Sequence, residues 1–392
     1  MPNPTQLANK IAKSPTIAMN DKAKQLAAEG HSVIGLAGGE PDFDTPPHIV
    51  DAALKAIKDG ETRYAAPSKG IRPLLEAIAV KMEKDNNVRV DPMSDVIVTP
   101  GGKLALFLAL KAMLDPGDEV LIPAPYWVSY PSIATMVGGV PVPVETGSDD
   151  NYRLRLEHLR EHVSPKSKVL IINSPCNPTG HMLSSEEIEA VATLALEEDL
   201  YIISDEIYEK LNFDGRPAVS LASIPDIADR VIIINGMSKA YAMTGWRLGW
   251  LAGPTDLIGV AGKFNSQTAT SAATFTQHAA VAALNGPQEC VEIMRQSYQE
   301  RRDFMVSSFN SIPNMSCPDI EGAFYAFPKV DETSKSSEEV ANIILDQAVV
   351  VGVPGNAFGV SKDAHIRFSF AEDMNKLSEA VDRIRAMARM LA

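Results

Sequence analysis

Lys239 is the residue most able to do covalent chemistry, and it sits in Asn235-Gly236-Met237-Ser238-Lys239-Ala240-Tyr241 directly after the β-branched run 231–234. That run reads as a buried strand. An amine just past a strand end, among small residues and an aromatic ring, is partly desolvated. Desolvation lowers a lysine's pKa and frees the amine as a nucleophile. Eight positions on, Arg247 offers a planar fork of donors that matches a phosphate dianion. An imine-forming amine with a phosphate clamp nearby is what pyridoxal phosphate needs. The same two residues also suit a lysine on a surface turn and an arginine opening the next strand, and the pair alone does not separate these readings.

Further candidates fall at other strand ends. Asp205 follows Tyr201-Ile202-Ile203-Ser204, with Tyr208 three residues later. A buried carboxylate there holds a pyridine nitrogen protonated, or else caps a helix. Asn177 lies in the loop Asn173-Ser174-Pro175-Cys176-Asn177-Pro178-Thr179-Gly180, where its amide either hydrogen-bonds a phenolic oxygen or simply makes a turn. Cys176 has no recognisable histidine base beside it and reads as a small buried residue. Thr99-Pro100-Gly101-Gly102-Lys103 joins a strand to a helix whose free N–H groups suit a phosphate. It is not a P-loop, because Leu104 replaces the Ser or Thr that should follow the lysine. Trp127 either stacks on a flat ring or fills a core. On His365-Ile366-Arg367-Phe368-Ser369-Phe370, the apolar residues share one face and Arg367 points away, into solvent or a cleft, where it can grip a carboxylate. His158 and His162 have i,i+4 spacing but no HExxH context, so a solvated helix face is expected and no metal site. GxSxG and GxGxxG are both absent.

The elements that must position these groups alternate strand and helix. Short, nearly all-apolar strands fall at 96–98, 119–122, 140–144, 169–172, 201–203 and 231–234. That rhythm predicts an α/β fold with a mainly parallel sheet sandwiched by helices, and ligands at the carboxyl ends of its strands. A long helix over 291–311 is expected to connect this part to a smaller α+β part, to which an N-terminal arm returns. The expected division is residues 1–45 as arm and part of the small domain, 46–290 as the large domain, and 291–392 as the small C-terminal domain. The 392 residues carry a net charge of −14, which argues against nucleic acid or an anionic membrane as partner. Three cysteines without CxxC spacing argue for a reducing, cytoplasmic setting, and no apolar run is long enough for a signal peptide or a membrane span.

Taken in order, Gly101-Gly102-Lys103, Pro125-Tyr126-Trp127, Asn177-Pro178-Thr179-Gly180, Ser204-Asp205-Glu206-Ile207-Tyr208, Ser238-Lys239 with Gly245-Trp246-Arg247, and Arg367 resemble the class I aminotransferases. These are pyridoxal 5′-phosphate enzymes of the aspartate aminotransferase fold. The segments 39–46, 126–130 and 240–247 look most like the bacterial aspartate/prephenate subgroup. The resemblance implies that Lys239 bonds the cofactor and shuttles the substrate proton. It implies that Asp205 pairs with the pyridine nitrogen, Tyr208 and Asn177 hold the phenolic oxygen, and Trp127 stacks on the ring. Gly102, Lys103, Ser238 and Arg247 would surround the phosphate, with Tyr64 arriving from a second subunit of a homodimer. Arg367, helped by Gly39, would take the α-carboxylate, while Lys103 would meet a distal carboxylate. Trp127, Asn177, Ser14 and Thr16 would also face substrate. The arm reads Lys13-Ser14-Pro15-Thr16 where relatives read basic–Pro–Ser–x–Thr, which leaves the acceptor, prephenate above all, open. The expected activity is ping-pong transfer of nitrogen from L-aspartate to 2-oxoglutarate. The alternatives are the same fold acting on prephenate or aromatic substrates, a β-lyase, decarboxylase or oxidase, or a non-enzymatic binding module.

Overall fold

The computed structural model describes residues 5–11, 15–360 and 362–391. Its first strand, β1 (Ile34–Gly35), belongs to the N-terminal segment. The central sheet is built from β2 (Val96–Thr99), β3 (Glu119–Ala124), β4 (Val140–Glu145), β5 (Ser167–Asn173), β6 (Tyr201–Asp205), β7 (Val231–Gly236) and β8 (Gly249–Ala252), in the order β2-β8-β7-β6-β5-β3-β4. Pairings among β3 to β7 are parallel, and β8 runs antiparallel to both its neighbours. Only β8 is therefore reversed, so β2, β3, β5, β6 and β7 all end at one edge of the sheet.

The strands are near-continuous apolar runs because both faces of the sheet are covered. Side chains alternate faces along a strand. Val231, Ile233, Ile202, Leu170 and Ile172 join one core with Leu74, Ile78, Val191 and Leu194. Ile232, Ile234, Ile203, Val169 and Ile171 join the opposite one with Leu106, Leu110, Ile133 and Ile258. Each such buried aliphatic side chain contributes about 1.5–3 kcal/mol. Slipping a strand by one residue would exchange its two sets of contacts, so the register that aims Asp205 and Lys239 is firmly fixed.

A second core surrounds β9 (Met315–Ser316), β10 (Tyr325–Ala326), β11 (Lys329–Val330), β12 (Val350–Val351), β13 (Val353–Pro354) and β14 (Ala364–Ser369). The helices Glu289–Asn310, Ser337–Ala348 and Met374–Met387 pack there, with Tyr298, Phe309, Ile344 and Ile384 fully buried. The N-terminal segment does return to this region, since β1 pairs in parallel with β12 and the Ser369 N–H donates to Leu36 O at 2.7 Å. Element edges differ from the sequence reading in a few places. The apolar run Val349-Val350-Val351 reads as one strand, but Val349, with φ of 55°, ends the preceding helix instead. The apolar run 323–327 reads as a five-residue strand, of which only Tyr325–Ala326 pairs. The helix Arg72–Asn86 lies where no element was expected, because its charged residues blur the apolar stripe of Leu74, Leu75, Ile78 and Met82.

Candidate functional site

The shared edge of the sheet creates one cavity of about 400 Å³, within the range usual for small-molecule sites. Lys239, Asp205, Tyr208, Asn177, Trp127, Gly102, Lys103, Ser238, Arg247, Gly39 and Arg367 all line it. Two expected groups stand apart. Tyr64 is 86% exposed and does not line the cavity of its own chain. Ser14 and the Thr16 side chain lie outside the described residues.

At one end, the helix Gly102–Met113 starts without a side-chain cap, leaving its first N–H groups available to an anion. Gly101, with φ of 88°, makes the turn before it, and a Cβ there would stand 2.6 Å from Arg247 Nη2. Arg247 itself has φ of 52° and donates from Nη1 to Thr244 O at 2.7 Å. Its guanidinium is thus pressed against the bare turn at the helix start. Lys103 Nζ lies 5.1 Å from the centre of the Trp127 ring, and burial, then Arg247, lowers its pKa. Two cations, a helix N-terminus and a glycine turn make a cradle whose chemistry fits a phosphate group.

Lys239 donates to Gly39 O and lies 5.7 Å from the ring centres of Tyr208 and Phe324. Burial, then the Arg367 and Arg247 charges, brings its pKa from 10.5 to about 8, against the opposing pull of Glu40 and Asp205. Asp205 ends β6 at 6% exposure, and burial raises its pKa to about 6. The opposing contributions come from Tyr130, whose hydroxyl donates to Asp205 Oδ2 at 2.7 Å, from the Ile207 N–H and from Lys239. A low-pKa amine and a buried carboxylate facing one cavity suit a pyridine aldehyde: one group bonds the aldehyde carbon, and the other neutralises a ring N–H⁺.

At the other end Arg367 is 2% exposed, so it faces the cleft rather than solvent. It donates from Nη1 to Asn177 Oδ1 at 2.9 Å and from Nη2 to Ala37 O at 2.8 Å. Its guanidinium carbon sits 4.4 Å from the Tyr325 ring centre, and its Nε has no partner. A buried guanidinium with an unpartnered donor suits a carboxylate ligand. Tyr208 Oη is 2.8 Å from Tyr325 Oη, and burial raises the Tyr208 pKa well above its usual value.

Several participants were not found from sequence. Tyr130 was in plain view three residues after Trp127, on the first turn of the helix Ser129–Met136. Tyr325 gave no signal, because an aromatic within an apolar strand reads as core. Glu40 accepts from Thr244 Oγ1 at 3.0 Å and lines the cavity mouth, a contact 204 positions apart that no local pattern reveals.

The model of the family described as aminotransferase class I and II matches residues 31–384. An aspartate aminotransferase of Geobacillus stearothermophilus is 42% identical over 388 residues, 97% of this chain and 98% of its own. An aspartate/prephenate aminotransferase of Cereibacter sphaeroides is 42% identical over 395 residues, 98% of each. Among solved structures, aspartate aminotransferase from Thermus thermophilus with maleate superposes with a TM-score of 0.93 at 38% identity, over 98% of this chain and all of that one.

Proposed function

The chain belongs to the class I and II aminotransferase family, and on that premise we propose that it moves the amino group of L-aspartate to 2-oxoglutarate, by a ping-pong cycle on pyridoxal 5′-phosphate. The observation that carries this reading is the meeting of Lys239, Asp205 and Arg367 on one cavity, with the amine's pKa lowered to about 8. When bound, the cofactor supplies an electrophilic carbon and an electron sink for the pair left as the substrate's Cα–H bond breaks.

The chain's own residues do the rest. Gly102, Lys103, Ser238 and Arg247 would hold the phosphate, and Trp127 would face the ring. Asp205, steadied by Tyr130, keeps a proton on the ring nitrogen. Tyr208 and the amide nitrogen of Asn177 serve the phenolic oxygen, while the Asn177 oxygen aims Arg367. Arg367 and the Gly39 backbone fix the α-carboxylate, so that the Cα proton faces the Lys239 amine. That amine would take the proton from Cα and pass it on to the bound cofactor, general acid–base work suited to a pKa near the operating pH. Lys103 offers a positive partner to a distal carboxylate, which favours dicarboxylic substrates.

The 86% exposure of Tyr64, a large ring at the surface, supports a homodimer in which the partner's Tyr64 completes the phosphate site. The two cores around the sheets support a division near residues 45 and 290, with Tyr208, Leu211 and Phe213 of the large part packing into the second core. Three free cysteines suit the cytoplasm, and among the described residues no helix is long and apolar enough to cross a membrane. Lys239→Ala tests the reading. The variant should fold and bind the cofactor without the visible absorbance of a lysine-bound aldehyde, and its turnover should fall by about a thousandfold or more. Wild-type turnover in that variant would refute the assignment. The Cereibacter relative favours prephenate as a second acceptor, to be assayed beside 2-oxoglutarate.

A further inference from the structure

His181 lies outside the substrate cavity, yet it is wired to both sides of it. Its Nε2 sits 2.8 and 3.0 Å from the two carboxylate oxygens of Glu187. Its Nδ1 lies 3.2 Å from Glu321 Oε2, an ion-pair distance not aligned as a hydrogen bond. Glu187 is anchored in turn at the start of the helix Ser185–Glu197, where it accepts from Ser184 N at 2.8 Å. Glu321 accepts from Met182 N at 2.8 Å and pairs with Arg216.

The backbone of His181 closes the Asn177 loop. The Cys176 N–H donates to His181 O at 2.9 Å, and the Gly180 N–H to Cys176 O at 2.8 Å. On the other flank, the Glu321 and Gly322 N–H groups both donate to Gly180 O, at 3.1 and 2.9 Å. That approach needs a glycine, since a Cβ on Gly180 would fall 2.4 Å from Ile320 Cγ2 and 2.8 Å from Gly322 O. Four residues after Glu321 comes Tyr325, whose ring underlies Arg367. One imidazole thus staples the loop that supplies Asn177 to the segment that supplies Tyr325, and those two side chains flank the guanidinium.

We propose that His181 is a positioning residue: clamped between Glu187 and Glu321, it fixes the spacing between Asn177 and the Tyr325–Arg367 pair, and so sets how tightly the substrate's α-carboxylate is held. The inference rests on Arg367 being that carboxylate's site. Misplacing a gripping group by about an ångström costs as much as a hundredfold.

The clamp needs a charged ring. Burial lowers the His181 pKa, but the two carboxylates of Glu187 and Glu321 outweigh it and bring the value to about 9. The other titratable or charged groups around it are Arg216, paired to Glu321, and Tyr126, Tyr130, Tyr152 and Cys176, which share a small cavity of about 50 Å³ with it. Because the folded-state pKa lies above the unfolded value near 6.5, the clamp is fully present below that value and is lost as pH rises through about 9.

The test uses holoenzyme of wild type, His181→Gln and Glu321→Gln. Near neutral pH, KM for aspartate and 2-oxoglutarate should rise about tenfold in each variant while kcat stays within about twofold. Maleate, a dicarboxylate with neither amine nor oxo group, should bind wild type progressively less well as pH passes about 9. In His181→Gln its affinity should be low throughout, with that step missing, and the difference between the two profiles removes titrations common to both. If His181→Gln does not fold, Glu321→Gln, which leaves the Glu187 pair intact, decides on KM alone. Unchanged KM in the variants beside normal wild-type turnover, or a wild-type pH step persisting in His181→Gln, overturns the inference by itself. Absence of aspartate turnover in wild type overturns instead the reading of aspartate as the donor, on which this inference rests.

Discussion

Asp205 shows how burial and bonding together prepare a residue for its task. A carboxylate that only lost solvent would protonate and give up its charge, but Tyr130 Oη at 2.7 Å and the Ile207 N–H return part of that cost. Tyr130→Phe should therefore reduce kcat about tenfold or more, because a hydrogen bond to a charged group contributes about 1.5–3 kcal/mol and about 1.4 kcal/mol is tenfold in rate. Steady-state kinetics would check it, and an unaltered kcat would separate Tyr130 from the ring-nitrogen site. Lys239 makes a prediction of its own. In cofactor-free protein, the rate of pyridoxal phosphate capture should climb with pH around about 8, well below the 10.5 of a solvated lysine. A rate that keeps climbing toward 10.5 would mean that the amine is not desolvated.

At the scale of elements, the site depends on five strands ending at one edge and on a helix that begins against Arg247. Gly101→Ala should leave the sheet intact, costing about 1 kcal/mol for an alanine forced to positive φ. The added Cβ would displace the Arg247 guanidinium from the helix start, so cofactor affinity should drop at least tenfold. Equilibrium dialysis would measure it, and retained affinity would mean that the phosphate sits elsewhere. Strand ends were readable in the sequence because each apolar run stops where the chain leaves the core, and Lys239, Asp205 and Trp127 were placed on that basis. Arg367 followed from alternation on β14, which excluded the apolar face without choosing between solvent and cleft. Tyr325, Glu40 and His181 share one further obstacle. Their partners, Tyr208, Thr244 and Glu321, lie 117, 204 and 140 positions away, and no helical or strand period spans such distances.

On the scale of the whole molecule, the proposed carboxylate grip draws on both cores. Arg367 and Tyr325 come from the second sheet, Asn177 from the end of β5, and the Ala37 carbonyl from the segment just after β1. In the proposed homodimer, the exposed Tyr64 ring would extend the dependence to a second copy. Tyr64→Phe should leave the sedimentation behaviour of the enzyme unchanged and weaken phosphate binding by about tenfold, the contribution of one hydrogen bond to a charged group. A monomeric wild-type enzyme with full activity would remove that role.

The central claim is that one buried amine and one buried carboxylate run a two-stage transfer in which the enzyme keeps the nitrogen between stages. Mixing holoenzyme with L-aspartate alone and counting the oxaloacetate released tests it most directly. About one equivalent per subunit should appear and then stop, with release resuming only when 2-oxoglutarate is added. Continuous release without an acceptor, accompanied by free ammonia, or no oxaloacetate at all, would contradict it.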